Sequence, residues 1–354
     1  MEENKGMKLL FKYRAALMGF AALWIVFFHE WQMLTTPESR FYTLELFVKR
    51  IGFCGVDMFL LLSGMGMVYS LEKNSLPRFY FNRIKRILVP FWAMAVIIAA
   101  TEHWDKIFFA KVVTGVAFYR ISIYSFLWFV PAIVTMYLFV PLYYKLFRRA
   151  THKFLFTAGV LEVWLLLSLF VSKTMRLDLY GFTNRIPVFI IGVLFGWICK
   201  ENVLQFTKGT WLFFVSTLVL GLYLAYQANM NGLELIVPIS NCCIPNLLIA
   251  MSLPLLLAKG LDLLCNAKFT KWLYVLFTKV LGFFGMMSLE FYCVQEWTVR
   301  RELARLLEDG SKMKVNILLF AIITVFGLLL YLLNKVIVFL VDLIDKRLWD
   351  RARS

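Results

Sequence analysis

Two ionisable residues stand where lipid would ordinarily surround the chain. His29 closes the apolar run that begins at Ala15, and Asp57 lies within Gly55-Val-Asp-Met-Phe-Leu-Leu-Leu-Ser-Gly64. An acidic side chain at mid-bilayer costs roughly 2.5–3.5 kcal/mol, so such a group faces a partner or a wet cavity. Together they point to a polar site built inside a membrane. Histidine is the side chain whose charge changes nearest neutral pH, which suits it to accept or return a proton. Glu290 adds a third buried ionisable group, in Ser288-Leu-Glu-Phe-Tyr292. A second group is basic: Arg14 precedes the first apolar run, and Arg83, Lys85 and Arg86 follow the second. Arginine offers paired N–H donors to phosphate, so this group suits a phosphorylated cytosolic ligand or anionic lipid heads.

These residues need helices to hold them. The chain has 354 residues, 61% apolar and 17% charged, with a mean hydropathy of +0.74. A soluble domain carries about a quarter charged residues, so the composition predicts an all-α, polytopic membrane bundle. Apolar runs long enough to span predict about ten transmembrane helices. They fall near 11–33, 51–71, 87–103, 123–147, 154–172, 183–199, 211–228, 234–258, 274–297 and 314–345. The stretch 106–122, with Lys106, Lys111 and Arg120, reads as interfacial or re-entrant. No small-x-small cleavage pattern follows the first run, which is therefore expected to be retained.

The formal charge of +16 does not point to nucleic acid. Alternating the spans from an inner amino terminus places about 22 Lys and Arg inside and about 14 outside, which predicts both termini in the cytoplasm. The six cysteines form no zinc spacing and no outer-loop pair. No loop is long enough for a separate fold and no repeat is visible. Residues 1–354 read as one membrane domain.

That topology predicts convergence. His29 lies near the outer end of the first predicted helix, and Asp57 roughly 9 Å below the outer boundary on the second. Trp128 and Arg185 open the fourth and sixth, and Glu290 sits in the outer half of the ninth. Arg14 lies roughly 22 Å from His29 along the helix, so a ligand held by the inner bases needs a long flexible arm. Each residue also has a plain structural reading. Asp57 would serve a packing hydrogen bond, Trp128 an aromatic belt, Arg185 snorkelling, and the basic cluster ordinary topology. Gly52, Gly55, Gly64 and Gly66 read as close-packing positions. His103 and His152 are given no role.

The segment Gly55–Gly64 resembles the helix-two signature of the acyltransferase-3 family of integral membrane acyltransferases. The run ending at His29, Asn82-Arg-Ile-Lys-Arg-Ile-Leu-Val-Pro-Phe-Trp92, Leu127-Trp-Phe-Val, Arg185-Ile-Pro-Val-Phe-Ile-Ile-Gly192 and Ser288-Leu-Glu-Phe-Tyr292 occur in that family's order. Each motif is short and apolar; the ordered set is specific and covers nearly the whole chain. The resemblance implies transfer of an acyl group, commonly acetyl from acetyl-CoA, to a hydroxyl of a sugar or glycan. It also implies that His29 is the catalytic centre. Two positions depart from the pattern. Met18 stands where the family usually has an arginine, with Arg14 about one turn earlier as the candidate substitute. Gln295 stands where many members have histidine.

On that resemblance His29 is expected to act as general base, with Asp57 or Glu290 orienting the imidazole as the third group of a triad does. Arg185, Trp128 and Ser63 are the expected substrate and oxyanion contacts. Arg14, Arg83, Lys85 and Arg86 are expected to hold the donor phosphates. Acyl-CoA is the expected co-substrate, with no permanently bound cofactor and no metal. The expected partners are a sugar or glycan acceptor and membrane lipids, in a bacterial plasma membrane. The rival readings are a transporter or flippase, in which the ionisable residues would move protons or substrate, and a structural scaffold.

Overall fold

The computed structural model describes residues 6–120, 127–175, 180–233, 243–295 and 311–351, and every regular element among them is helical. In chain order come α1 (Lys8–Lys12), α2 (Arg14–Glu30), α3 (Tyr42–Arg50), α4 (Cys54–Lys73), α5 (Leu76–Arg83), α6 (Val89–Thr101), α7 (Lys106–Val113) and α8 (Val116–Arg120). There follow α9 (Phe129–Arg149), α10 (Lys153–Met175), α11 (Tyr180–Thr183), α12 (Ile186–Glu201), α13 (Lys208–Met230) and α14 (Cys243–Asn266). The last three are α15 (Lys271–Met286), α16 (Ser288–Gln295) and α17 (Lys312–Arg351).

Among the described residues eight helices are long and apolar enough to cross a membrane, or nine if α15 and α16 count as one span. The shortfall from ten is α2. Its 17 residues rise about 25 Å, less than a hydrocarbon layer of about 30 Å. The predicted helix 11–33 is trimmed at both ends, because Tyr13 separates α1 from α2 and the backbone turns extended at Trp31 (φ −65°, ψ 123°). The predicted helix 274–297 is broken at Met287. The described part of the stretch 106–122, residues 106–120, forms α7 and α8, eight and five residues long and too short to cross. Of the predicted helix 234–258, positions 234–242 lie outside the described residues.

Packing divides the chain into two units. The first joins Met1–Ser75 to Ala132–Met286. Its axis is α4, buried at almost every position from Cys54 to Val68 and packed by α2, α12 and α14. In a bilayer water does not drive helices together, so close van der Waals contact must. Glycine permits it. A Cβ on Gly285 would land on the Ala15 carbonyl, and one on Gly19 on the Leu281 carbonyl, so α2 and α15 touch backbone to backbone. α4 and α12 meet the same way at Gly64, Gly192 and Gly196. Gly52 and Gly55 admit α2, where a Cβ would stand 2.6 Å from the Trp24 oxygen and 2.5 Å from the Ala21 oxygen. Gly66 is the correction: nothing lies within 4 Å of its Cβ position.

Charged staples close one end of this unit, where Phe11 meets Tyr69 at 4.8 Å. Asp262 takes Lys12 at 2.6 Å and the Tyr13 hydroxyl at 3.1 Å, and that carboxylate raises the Lys12 pKa above its ordinary value. Glu72 accepts from Tyr144 at 2.6 Å and pairs with Lys200 at 2.5 Å.

The second unit joins Leu76–Pro131 to Met287–Ser354. Here α6 packs on α16 and α17, and Phe291, fully buried, seats against Gly327. Between α5 and α6 the chain widens into a π-helical turn, Ile84–Leu88. Pro90 follows, at the start of α6. It has no N–H for the Arg86 carbonyl and its ring would crowd that oxygen, which a widened turn relieves. One added residue per turn rotates the basic segment by about 100° relative to α6.

Candidate active site

In the first unit a buried polar cluster forms around Asp57, in the first turn of α4 and 1% exposed. The Asn246 amide of α14 donates to Asp57 Oδ2 at 3.0 Å, and Cys54 Sγ donates to Asn246 Oδ1 at 3.0 Å. Arg185 Nε stands 3.7 Å from Asp57 Oδ1. The guanidinium also donates from Nη1 to the Gly181 carbonyl at 2.9 Å. Its position follows from local sequence. Pro187 falls in the first turn of α12, where its missing N–H costs nothing, and this sets Arg185 at the N-cap. Asp57 and Arg185, expected from the sequence only at similar depth, form a direct ion pair. Ser63 is buried on the same helix six residues on, on a face about 120° away.

His29 lies in the last turn of α2 and is exposed. Its ring meets Phe28 edge-on at 4.7 Å, and Phe28 in turn meets Phe53 at 5.6 Å, just before α4. Arg14 is half-buried at the first residue of α2, and Met18 is buried one turn later.

The second unit holds the other expected residues. Glu290 of α16 is 9% exposed and accepts from the Asn334 amide of α17 at 3.1 Å. Arg86 is near enough for its charge to act on Glu290. Arg83 precedes the π turn and Lys85 lies within it, with Arg83 over the Phe79 ring at 5.3 Å and Lys85 over Phe81 at 4.7 Å. Lys85 is also ion-paired with Asp342, and Arg78 with Asp345 at 2.5 Å. Trp128 is half-exposed in the turn before α9, edge-on to Phe129 at 6.3 Å. Phe129 meets Tyr292 at 5.6 Å. Leu127, beside Trp128, adopts φ +52°, a backbone state that non-glycine residues seldom take and that collects at functional sites.

Among the described residues no three His, Cys, Asp or Glu side chains gather as metal ligands.

A family model described as "Acyltransferase domain" matches residues 16–336, a range that takes in His29, Asp57, Arg185 and Glu290. The chain belongs to the acyltransferase-3 family. It is 30% identical over 169 residues to a protein named "Putative acetyltransferase ORF330" from Acidianus two-tailed virus. That match covers 45% of this chain and 47% of the relative, so the chain spans about half the length of the protein it matches. No solved structure matches.

Within this acyltransferase-3 chain, sequence reasoning missed Asn246, Cys54, Asn334, Asp342 and Asp345. Asn246 sits in an apolar run and meets Asp57 across 189 positions. The one available signal was an asparagine inside a predicted span, which needs a partner there for the same reason Asp57 does. Asp342 and Asp345 fall one turn apart on a predicted helix, a spacing that puts them on one face.

Proposed function

We propose that the protein is a membrane O-acyltransferase that moves an acyl group from cytosolic acyl-CoA to a hydroxyl of a sugar or glycan acceptor. The acceptor oxygen attacks the thioester carbonyl carbon and gives its proton to the His29 imidazole. The C–O bond forms, the C–S bond breaks, and the imidazolium returns the proton to the leaving thiolate. The Arg185 guanidinium, fixed against Asp57 and Gly181, supplies positive charge for the developing oxyanion. Arg83, Lys85 and Arg86 take the donor's phosphates. The observation that carries this reading is the family match over residues 16–336, in a chain whose first long helix presents an exposed histidine in its last turn.

The test is transfer from radiolabelled acetyl-CoA by purified protein in nanodiscs, with His29→Ala alongside. Loss of turnover to near background in the variant is expected, with donor binding retained. Wild-type turnover in His29→Ala would end the base assignment. An absence of transfer together with gradient-driven solute uptake would favour a transporter.

A further inference from the structure

The residues that follow His29 are held by a single carboxylate. Glu45 of α3 accepts four hydrogen bonds, all from Trp31 to Thr35. Trp31 Nε1 donates to Oε1 at 2.7 Å and the Leu34 amide to the same oxygen at 2.8 Å. The Thr35 amide and hydroxyl both donate to Oε2, at 2.9 and 2.5 Å. One turn along α3, Lys49 Nζ donates to the Trp31 carbonyl. On the other side of the imidazole, Trp24 Nε1 donates to the Val48 carbonyl at 3.0 Å. α3 therefore grips α2 five residues before His29 and the chain beyond α2 two residues after it. The imidazole itself is exposed between the two grips.

Nothing about a connecting loop requires this. Segments such as 31–41 normally run over the surface with mobile backbones, and helix ends fray. A carboxylate accepting charge-assisted bonds from two backbone amides, a hydroxyl and an indole fixes the chain where it leaves α2. Proton transfer is steep in distance, and displacement of a reacting group by about 1 Å costs on the order of a hundredfold in rate.

We infer that Glu45, assisted by Lys49, is a positioning residue that sets the orientation of the His29 imidazole. Its effect on turnover rests on the proposed role of His29; its effect on the ring does not. In Glu45→Gln one acceptor oxygen becomes an NH2 group facing donors, so the grip on either Trp31 and Leu34 or Thr35 is lost. Glu45→Asp keeps the charge and shortens the reach.

The experiment pairs steady-state kinetics with peptide-resolved labelling by diethyl pyrocarbonate across pH. His103 and His152, both exposed, serve as internal references. Glu45→Gln is expected to lower kcat about tenfold or more with donor KM unchanged. The rate or pH midpoint of labelling should change at His29 and stay constant at the references, and Glu45→Asp should recover part of both effects. Lys49→Met, which removes the bond to the Trp31 carbonyl together with a positive charge that acts on Glu30 and Glu45, should shift His29 labelling and carries the test if Glu45→Gln does not fold. Unchanged labelling of His29 in folded Glu45→Gln or Lys49→Met would overturn the inference, whatever happens to turnover. If His29→Ala keeps full activity while Glu45→Gln still alters labelling at His29, the base assignment falls and the positioning role survives.

Discussion

Arg185 meets Asp57 with Nε 3.7 Å from Oδ1, and the two side chains are only 12% and 1% exposed. At that burial each charge depends on the other. Removing one partner of a buried pair costs about 3–5 kcal/mol, whereas replacing both with apolar groups of similar size is often neutral. Asp57→Leu alone is therefore expected to unfold the protein at markedly lower temperature, and the double variant Asp57→Leu, Arg185→Met to recover most of the loss. Scanning fluorimetry in one detergent decides it. Equal melting points for the single and double variants would mean that the pair carries no coupling. Asn246→Leu, which orphans Asp57 Oδ2 and the Cys54 thiol, should cost about 1–3 kcal/mol.

The backbone contact of α2 with α15 is equally specific. Gly285→Ala sets a methyl group against the Ala15 carbonyl, so α15 must shift and the helix carrying His29 is disturbed. We expect a loss of well over 1 kcal/mol, with poor recovery of folded protein. Gly282, three residues earlier on the same helix, has nothing within 4 Å. Gly282→Ala should be tolerated and even gain about 0.5–1 kcal/mol from helix propensity. A comparison of folded yield by size-exclusion chromatography separates the two, and similar yields would refute the close contact.

Asp342 competes with any anion for Lys85. The pair lies partly in solvent, with Asp342 47% exposed at its side chain, so its own contribution to stability is small, under about 1 kcal/mol. Its contribution to binding is not. Asp342→Asn returns a full positive charge to the π-helical segment, and the KM for acyl-CoA is expected to fall severalfold with a steeper dependence on salt. An unchanged KM and salt slope would show that Lys85 does not meet the donor.

The spans were readable because their cause is local. The runs predicted at 183–199 and 211–228 lie within a few residues of α12 and α13, since long apolar stretches end at charged or turn-forming residues. What escaped was set by partners distant in the chain or by residues that hydropathy hides. α3 carries Glu45, Lys49 and Arg50, so a window tuned to lipid discards it, although it is continuous with α4 through Ile51–Phe53. The break at Met287 leaves no mark in an unbroken apolar run. Gly19 and Gly285 looked unremarkable apart and matter only because they face each other's helix. The site behaved likewise. The unusual residue types at 29, 57, 185 and 290 were visible, but not that Asp57 joins Arg185 and Asn246, nor that the residues after His29 are gathered by a carboxylate ten to fourteen positions on.

The last helix is longer than the sheet of lipid it crosses. Its 40 residues rise about 60 Å, and the apolar part from Val315 to Val341 alone is about 40 Å, against roughly 30 Å of hydrocarbon. Such a rod is accommodated by tilt or by local thickening of the lipid. The two aspartates that follow this apolar part, at 342 and 345, come where hydrocarbon gives way to headgroups, and there they neutralise Lys85 and Arg78.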